Sequence, residues 1–327
     1  MTSKTIGVEI GSSTLKMAVC SGGVIQTMAV KRMPEDLVRE GRPTAPAALS
    51  KFLTDMRKEF GIPSGPCALV LPGKLVLSHP VTMPVMSEQE LMLNLPFEFR
   101  DFVGKDGAKY DYDYSIISVK DGVMEMNAAA VRKDVVEEYY DIFKKAGLTL
   151  KVATPAEMAW LNLVSQAKNL PGTLGIVDIG HNITRVNIFS NGNFVMGKDI
   201  EMAGSLIDET IASFEKIDPY VARAHKENNL NNVLTEEYSV NAYQTLAIEV
   251  MRALNFYSYS SQQPDALKDL YLCGGSSVIE PLRVALLKST DMVLHKIDSL
   301  VPLAGQPEEF EDEILYCALA AGAAVQH

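Results

Sequence analysis

The sequence predicts an α/β protein made of two related lobes, with a small α+β domain inserted into the first lobe. Three observations predict this fold class. The chain has 327 residues, which suits about two domains at ~150 residues each. Two strand–loop–strand segments, far apart in the chain, resemble each other. A run of helix and hairpin signals interrupts the first of the two halves that these segments begin.

The repeated segments cover residues 8–16 and 177–185. Each begins with a hydrophobic strand that ends in an acid, an apolar residue and a glycine: Glu9 and Gly11 in the first copy, Asp178 and Gly180 in the second. A polar loop, a second strand and a glycine turn follow in both, as in a meander. Such self-similarity indicates two related domains, each opening with a β-hairpin whose tip is small and polar.

The elements after the first copy are predicted in order. Thr44 is placed to cap a helix with one apolar face through residue 60, and two strands follow over residues 67–71 and 75–80. Ser87 and Glu90 form a capping box before a second helix. Strands over 110–119 and 123–131 flank a hairpin turn, and a helical apolar stripe then stops at Gly147. Residues 84–150 are therefore expected to form a helix–hairpin–helix unit with its own core.

The second half continues with a polar helical stretch and one long helix over residues 235–260. A strand over 269–273 then ends at Gly274, Gly275 and Ser276, just before another helix. Because no linker is long enough to separate independent domains, a closed bilobal body is expected.

The two hairpin tips have a chemistry suited to phosphate and a divalent cation. The carboxylates of Glu9 and Asp178 are candidate Mg²⁺ ligands, because this ion prefers a few hard oxygens and keeps its waters. Backbone N–H groups in glycine-containing loops form anion-binding concavities. The candidate phosphate-binding residues are Gly11, Ser12, Ser13, Lys16, Gly180 and Thr184. Gly274, Gly275 and Ser276 suit an adenosine moiety or an α-phosphate, and the Walker and dinucleotide-binding glycine motifs are absent from the sequence.

Charge and cysteine usage exclude several classes of function. The 30 Lys and Arg against 41 Asp and Glu give a net charge of −11, so a nucleic-acid partner is not expected. The four cysteines form no C-x-x-C pair, which is typical of a reducing compartment. The longest apolar run, residues 315–325, is about half of a bilayer span. We therefore expect a cytoplasmic protein without direct membrane insertion.

These residues, together with four further stretches, carry a family resemblance that runs nearly from end to end. The three loops resemble the phosphate and adenosine loops of the actin, Hsp70 and sugar-kinase superfamily. Within it, the chain resembles the PilM family of actin-like type IV pilus assembly proteins and, more distantly, FtsA. The further stretches that match the PilM pattern are residues 111–116 with 129–133, residues 146–148 with 155–157, and residues 249–257 and 318–323.

The resemblance implies a bilobal actin-like fold of duplicated ribonuclease-H-like domains. The first lobe would comprise residues 1–83, 151–172 and 318–327, the inserted domain residues 84–150, and the second lobe residues 173–317 with a subdomain at about 198–254. It also implies binding of ATP and Mg²⁺ with weak or no hydrolysis. The implied partners are the N-terminal cytoplasmic tail of a PilN-like inner-membrane protein and other pilus assembly proteins, which would recruit the chain to the inner face of the membrane.

Two departures from the superfamily pattern concern the nucleotide. His181 and Asn182 follow Gly180 where small residues are usual. In relatives, an Ala-Glu-x-x-Lys stretch contacts the purine and ribose; here Lys226 is retained as a nucleoside-binding candidate, but Arg223 replaces the glutamate. A guanidinium cannot accept a hydrogen bond from a ribose hydroxyl, so nucleotide affinity or base preference is expected to differ.

Two alternative functions stay open at the sequence level. The first is a small-molecule kinase of the same superfamily, which needs a base near the attacking hydroxyl; Glu157 is the one candidate for this catalytic role. The second is an FtsA-like filament-forming scaffold with self-association. The C-terminal residues lack the basic and bulky apolar side chains of a membrane-binding amphipathic helix, which disfavours direct tethering to a bilayer.

Overall fold

The computed structural model describes residues 4–34, 37–261 and 267–325. In chain order the strands are β1 (Lys4–Ile10), β2 (Thr14–Ser21), β3 (Val24–Arg32), β4 (Val38–Arg39), β5 (Arg42–Pro43), β6 (Gly65–Val70), β7 (Val76–Pro84), β8 (Tyr110–Lys120), β9 (Val123–Arg132), β10 (Leu148–Thr154), β11 (Thr173–Ile179), β12 (Thr184–Ser190), β13 (Asn193–Ile200), β14 (Asp269–Cys273) and β15 (Val293–Lys296). The helices are α1 (Pro46–Glu59), α2 (Glu88–Glu98), α3 (Arg100–Val103), α4 (Lys133–Lys145), α5 (Ala156–Gln166), α6 (Gly204–Glu215), α7 (Pro219–Asn228), α8 (Glu237–Ser260), α9 (Glu280–Thr290) and α10 (Glu311–Ala324).

Two five-stranded sheets with the same strand order form the two lobes. The first has the order β10-β6-β1-β2-β3 and the second β15-β14-β11-β12-β13. In each, three antiparallel strands are followed by two parallel ones. The repeat extends to register, because Glu9 pairs with Lys16 as Asp178 pairs with Arg185. The structure thus confirms the predicted α/β fold class and its internal duplication.

Both faces of each sheet are covered, which explains why the central strands read as nearly continuous apolar runs. In the first lobe, Ile6 and Val8 of β1 are buried with residues of α1 and α4. In the second lobe, β11 and β12 are buried with residues of α6, α8 and α9. The apolar face predicted for the long helix is confirmed by the burial of Tyr243, Leu246 and Val250 in this core.

Helices α5 and α10 fill the space between the two sheets. Their small residues and Trp160 belong to a core that also contains side chains from both lobes. A Cβ on Gly7 of β1 would lie 1.8 Å from the carbonyl oxygen of Ala320, and one on Gly322 of α10 would lie 2.2 Å from that of Ala159. Glycine at these two positions therefore lets backbone pack directly against backbone, as the small-residue helix predicts.

The inserted unit differs from its predicted boundaries, 84–150, at both ends. Its three-stranded sheet, of order β7-β9-β8, begins at Val76. Its core joins these strands to α2 and Phe99. Helix α4 instead packs into the first-lobe core through Tyr139 and Phe143. An apolar stripe shows which residues of a helix are buried but not against which sheet, so residues 76–132 describe the unit better.

Three other predicted boundaries concern the lobes, and two of them fall inside helices. Residue 254, where the second-lobe subdomain was predicted to end, lies within α8, and the change from second to first lobe at 317/318 lies within α10. The change at 172/173 coincides with the start of β11. The ends of the predicted first lobe, residues 1–3 and 326–327, lie outside the described residues, as do residues 35–36 and 262–266.

The predicted local signals are mostly confirmed. Ser87 and Glu90 form a reciprocal capping box on α2. Asp121 and Gly122 both have positive φ in the turn between β8 and β9, as a two-residue hairpin requires. Helix α1 is the exception, because its N-cap is Ala45 rather than Thr44. Across the described ranges, no helix combines the length and the apolar character that a bilayer crossing needs.

Candidate functional site

The two hairpin tips have nearly the same turn geometry. The N–H of Gly11 donates to the carbonyl of Thr14 at 3.0 Å, and the N–H of Gly180 donates to that of Ile183 at 3.1 Å. A Cβ on Gly180 would lie 2.9 Å from the same Ile183 oxygen. Both glycines thus close a turn with their own N–H groups, so contacts to a phosphate would have to come from the other tip residues.

Both tips and the third glycine loop line a single open cleft of about 1190 Å³ between the lobes. The cleft brings together eleven of the thirteen predicted site residues. These are Glu9, Gly11, Ser12, Ser13, Lys16, Asp178, Gly180, Lys226, Gly274, Gly275 and Ser276. The cleft is large enough for a nucleotide, because small-molecule sites typically occupy roughly 300–1,000 Å³.

The remaining two predicted residues, Thr184 and Glu157, are not among the residues that line the cleft. The side chain of Thr184 is fully buried, and its hydroxyl donates to the carbonyl of Met202 at 2.7 Å. Thr184 therefore anchors the segment before α6 instead of facing the cleft. Glu157 lies half-buried in the first turn of α5, one position beyond Ala156, which does line the cleft.

Glu9 and Asp178 form the acidic floor of the cleft. Both are nearly buried, and the ammonium of Lys16 lies 2.7 Å from Glu9 Oε1. Burial and then the nearby charge of Glu9 raise the pKa of Asp178 to about 6. Burial lowers the pKa of Lys16, but attraction to Glu9 and Asp178 outweighs it, so that this pKa is raised overall. Lys16 therefore stays charged between the two acids.

The donor set fits Mg²⁺ only if further oxygens come from a ligand. In the part of the chain that the structure describes, no group of three or more His, Cys, Asp or Glu residues is arranged to hold a metal. Two carboxylates are enough for Mg²⁺, which commonly takes one or two from the protein and the rest from phosphates and water.

The backbone of the Gly274 loop packs closely against the side chain of Asp178. Gly274 has a φ of +87°, and a Cβ there would lie 2.4 Å from Asp178 Oδ1. A Cβ on Gly275 would lie 2.7 Å from the ring of Tyr316. The hydroxyl of Ser276 donates to the carbonyl of Gly180 at 2.9 Å. Ser276 thus ties this loop to the second hairpin tip, and the two glycines leave flat backbone at the cleft wall.

Lys226 lies in the cleft, but its ammonium is engaged by α6. Its Nζ is 2.6 Å from Asp208 Oδ1 and donates to the carbonyl of Gly204 at 2.9 Å. Burial lowers the pKa of Lys226 and raises that of Asp208, while the attraction between the two charges opposes both shifts. Breaking a buried ion pair leaves an uncompensated charge. The main role of Lys226 is therefore structural: it holds α7 to α6 next to the cleft.

His181, the unusual residue of the second tip, lines the cleft as a neutral imidazole. Its Nδ1 lies 3.7 Å from Asp208 Oδ2. Its pKa is lowered to about 4, first by burial and then by the positive charges of Arg223, Lys226 and Arg32. The side chain therefore marks a region of positive potential on the second-lobe side of the cleft.

Sequence reasoning missed a polar connection across the mouth of the cleft. Arg223 on α7 donates through Nη2 to the hydroxyl of Ser13, and through Nε to Glu227 Oε1 at 3.0 Å. Arg32, at the end of β3, donates to Glu227 Oε2 at 3.2 Å. The residues missed are thus Arg32, Glu227 and, beneath them, Asp208. None carries a sequence signal, because each is a charged residue in an ordinary strand or helix.

Comparison with known proteins places this geometry in a family. A family model described as type IV pilus assembly protein PilM matches residues 7–326. Among solved structures, a chain of a PilM–PilN type IV pilus biogenesis complex is 22% identical, with a TM-score of 0.85 and coverage of 98% of both chains.

Two further solved structures share the fold at lower similarity. The ethanolamine utilization protein EutJ from Carboxydothermus hydrogenoformans is 13% identical, with a TM-score of 0.63 and coverage of 99% of this chain and 90% of that one. MreB5 of Spiroplasma citri, bound to ADP, is 12% identical, with a TM-score of 0.51 and coverage of 98% and 94%. Because the family model spans nearly the whole chain, this protein belongs to the PilM family of type IV pilus assembly proteins.

Proposed function

We propose that this protein is a nucleotide-binding, actin-like assembly factor of a type IV pilus system, and that it captures the cytoplasmic tail of a PilN-like inner-membrane protein. One observation carries the nucleotide part: acidic hairpin tips from two duplicated lobes converge on one cleft with the Gly274 loop. Family membership and the similarity to a chain of a PilM–PilN complex support the partner.

The cleft residues would have three roles in binding ATP and Mg²⁺: they would contact the cation, the phosphates and the nucleoside. Glu9 and Asp178 would hold the cation, and Lys16 would neutralise phosphate charge. Backbone N–H groups of Ser12, Ser13 and Asn182 would contact phosphate oxygens, since those of Gly11 and Gly180 close the turns. Gly274 and Gly275 would admit the nucleoside. The bound cation would supply positive charge that screens the phosphates from the two acids.

Nucleotide in this site would act mainly as a conformational latch. The phosphate-facing tips belong to different lobes, so a ligand that contacts both stabilises their closed arrangement. A ligand present at 100 times its dissociation constant contributes about 2.7 kcal/mol to the state that binds it. This role needs no hydrolysis, and we expect weak ATPase activity or none.

Partner capture is proposed at the junction of the first lobe and the inserted unit. A groove of about 660 Å³ lies there, lined by Arg39, Glu40, Arg42, Thr44, Lys74 and Leu75. It lies beside the start of β7, the strand through which the inserted unit leaves the first lobe. Binding of a membrane-anchored tail in this groove would recruit the protein to the inner face of the cytoplasmic membrane. Contacts with other pilus assembly proteins and self-association remain predictions.

No observation favours the two alternatives. A kinase needs a base at the reacting hydroxyl, and Glu157, the sequence candidate, is not among the residues that line the cleft. For the FtsA-like alternative, α10 is not itself a membrane-binding amphipathic helix, because it is buried between the two sheets.

Calorimetric titration with Mg-ATP tests the nucleotide part. We expect the wild-type protein to bind, and Asp178→Asn to bind about 10–100-fold more weakly because it removes one charged cation ligand. Asp141→Asn, at an exposed position on α4, is the matched control and is expected to bind normally. Equal affinity in all three proteins would exclude the metal role of Asp178, and no binding to the wild type would exclude the nucleotide function.

A pull-down with a synthetic N-terminal PilN-like peptide, with and without ATP, tests the partner. Thr44→Trp places a large ring in the groove and is expected to abolish capture. Thr245→Trp, on the exposed face of α8, is the control and is expected to retain it. If the wild type fails to bind in both conditions, the partner is wrong; if Thr44→Trp still binds, the groove is wrong.

A further inference from the structure

The connection across the cleft mouth, formed by Ser13, Arg32, Arg223 and Glu227, is here called the inter-lobe bridge. Ser13 and Arg32 belong to the first lobe, whereas Arg223 and Glu227 lie one helical turn apart on α7 of the second lobe. Ser13 lies on the first hairpin tip and is nearly buried. The inter-lobe bridge thus joins the first candidate phosphate loop directly to the opposite lobe.

Four cations of the cleft each contact an acid, and Arg223 also contacts the hydroxyl of Ser13. Lys16 pairs with Glu9, Lys226 with Asp208, and Arg185 with Asp199 at 3.5 Å. Arg223 uses Nε for Glu227, but its Nη2 donates to the neutral hydroxyl of Ser13. A phosphate oxygen beside Ser13 would offer this nitrogen a hydrogen bond together with charge–charge attraction, which the neutral hydroxyl does not supply, so it would compete well for the guanidinium.

The guanidinium is also oriented before any ligand arrives. Glu227 Oε1 accepts from its Nε, and Glu227 is itself held by Arg32 through Oε2. Arg32 in turn lies over the ring of Tyr220, 5.1 Å from its centroid. A guanidinium fixed in this way loses little freedom when it binds an anion, which favours affinity.

We propose that Arg223 is a phosphate-binding residue that exchanges the Ser13 hydroxyl for a phosphate oxygen when nucleotide enters the cleft. This inference rests on the proposed nucleotide function. Glu227 and Arg32 act as positioning residues for the exchange. Because Arg223 lies on α7, the exchange replaces a direct contact between the lobes with one that runs through the phosphate chain. The second lobe then responds to the presence of phosphate itself.

Affinities for Mg-ATP and for inorganic tripolyphosphate, measured by calorimetry, test the exchange. Arg223→Gln keeps hydrogen-bonding capacity but loses the charge, so both affinities are expected to fall about 10–100-fold, as loss of a charge-assisted hydrogen bond predicts. Arg223→Lys is expected to recover part of each loss. Ser13→Ala keeps the backbone N–H and removes the competing acceptor, so tripolyphosphate affinity is expected to rise. Arg252→Gln, on an exposed arginine of α8, is the control.

The outcomes separate this inference from the function on which it rests. If the wild type binds Mg-ATP and Arg223→Gln binds it equally well, the inference is overturned and the proposed function stands. If Arg223→Gln loses ATP affinity without losing tripolyphosphate affinity, Arg223 contacts the nucleoside, which also overturns it. If the wild type binds neither ligand, the proposed function falls, and the inference with it. Thermal unfolding of each variant verifies that it is folded.

Discussion

Asp178 lies at the end of β11, nearly buried and close enough to Glu9 for the two charges to interact. Its position suits a cation ligand, but it disfavours the ionised carboxylate when no cation is present. The rise of its pKa from the ordinary value near 3.8 to about 6 corresponds to about 3 kcal/mol at most. The ligand-free protein is therefore less stable, at neutral pH, than it would be with a neutral side chain here.

Asp178→Asn is accordingly expected to stabilise the ligand-free protein above pH 6, by about 1–3 kcal/mol. Because the folded-state pKa is raised, the folded protein holds this proton more tightly than the unfolded chain. The contribution of Asp178 to stability is thus fully present below about pH 4 and is lost as the pH rises through about 6. Denaturant unfolding of wild type and variant at pH 4.5 and pH 8 measures the difference.

An exposed aspartate provides the control for this substitution. Asp141→Asn, at an exposed position, is expected to change the free energy of unfolding by less than about 0.5 kcal/mol at either pH. A variant Asp178→Asn that destabilises the protein at pH 8 would contradict the burial argument. Stabilisation without Mg-ATP, together with weaker Mg-ATP binding, is the combination expected of a residue kept for its ligand.

The part of the candidate site that depends on backbone conformation could be predicted from the sequence. Gly11, Gly180 and Gly274 follow strand ends and accompany the two acids, so pattern alone brought these residues together. Thr184 could not be predicted, because its hydroxyl direction depends on the carbonyl of Met202, which belongs to a later segment. The inter-lobe bridge was missed for a related reason: its partners meet only after both lobes have folded.

At the scale of elements, the packing of α10 against α5 and β1 depends on the absence of a side chain at two glycines. Replacing a glycine inside a helix by alanine normally stabilises a protein by about 1 kcal/mol, since glycine is a poor helix former. Here a Cβ would lie 2.2 Å from the backbone oxygen of Ala159, and backbone cannot rotate away as a side chain does. Gly322→Ala is therefore expected to destabilise the protein by about 1–3 kcal/mol, as measured by chemical unfolding.

Gly172→Ala is the matched control for this substitution. A Cβ at Gly172 would meet no atom closer than 3.9 Å, so little loss of stability is expected. If Gly322→Ala were as stable as the wild type, α5 and α10 would have room to separate, and the tight packing between the lobes would be refuted.

Most elements were predictable because their signals are local. The capping box of α2, the turn between β8 and β9 and the small-residue face of α10 each depend on a few neighbouring residues. The extent of the inserted unit was not predictable in this way. Strand β7 pairs with β9 along its whole length, beginning with the pair Val76 and Val131. Helix α4 packs into the first-lobe core through tertiary contacts, which its apolar stripe does not specify.

In the complete protein, the candidate site exists because the fold is duplicated and both lobes line the same cleft. Each lobe contributes one acidic hairpin tip, and the shared core of α5 and α10 fixes how the two tips face each other. Neither lobe alone supplies both carboxylates. The proposed function therefore belongs to the pair of lobes, and its dependence on their mutual position is what would allow nucleotide to influence capture of a partner.

A crystal structure of the protein grown with Mg-ATP tests this account most directly. We expect the triphosphate between the two hairpin tips, the cation beside Glu9 and Asp178, and Arg223 on a phosphate oxygen instead of Ser13. Crystals grown at saturating nucleotide whose cleft holds no triphosphate, or in which ATP binds elsewhere on the protein, would contradict it.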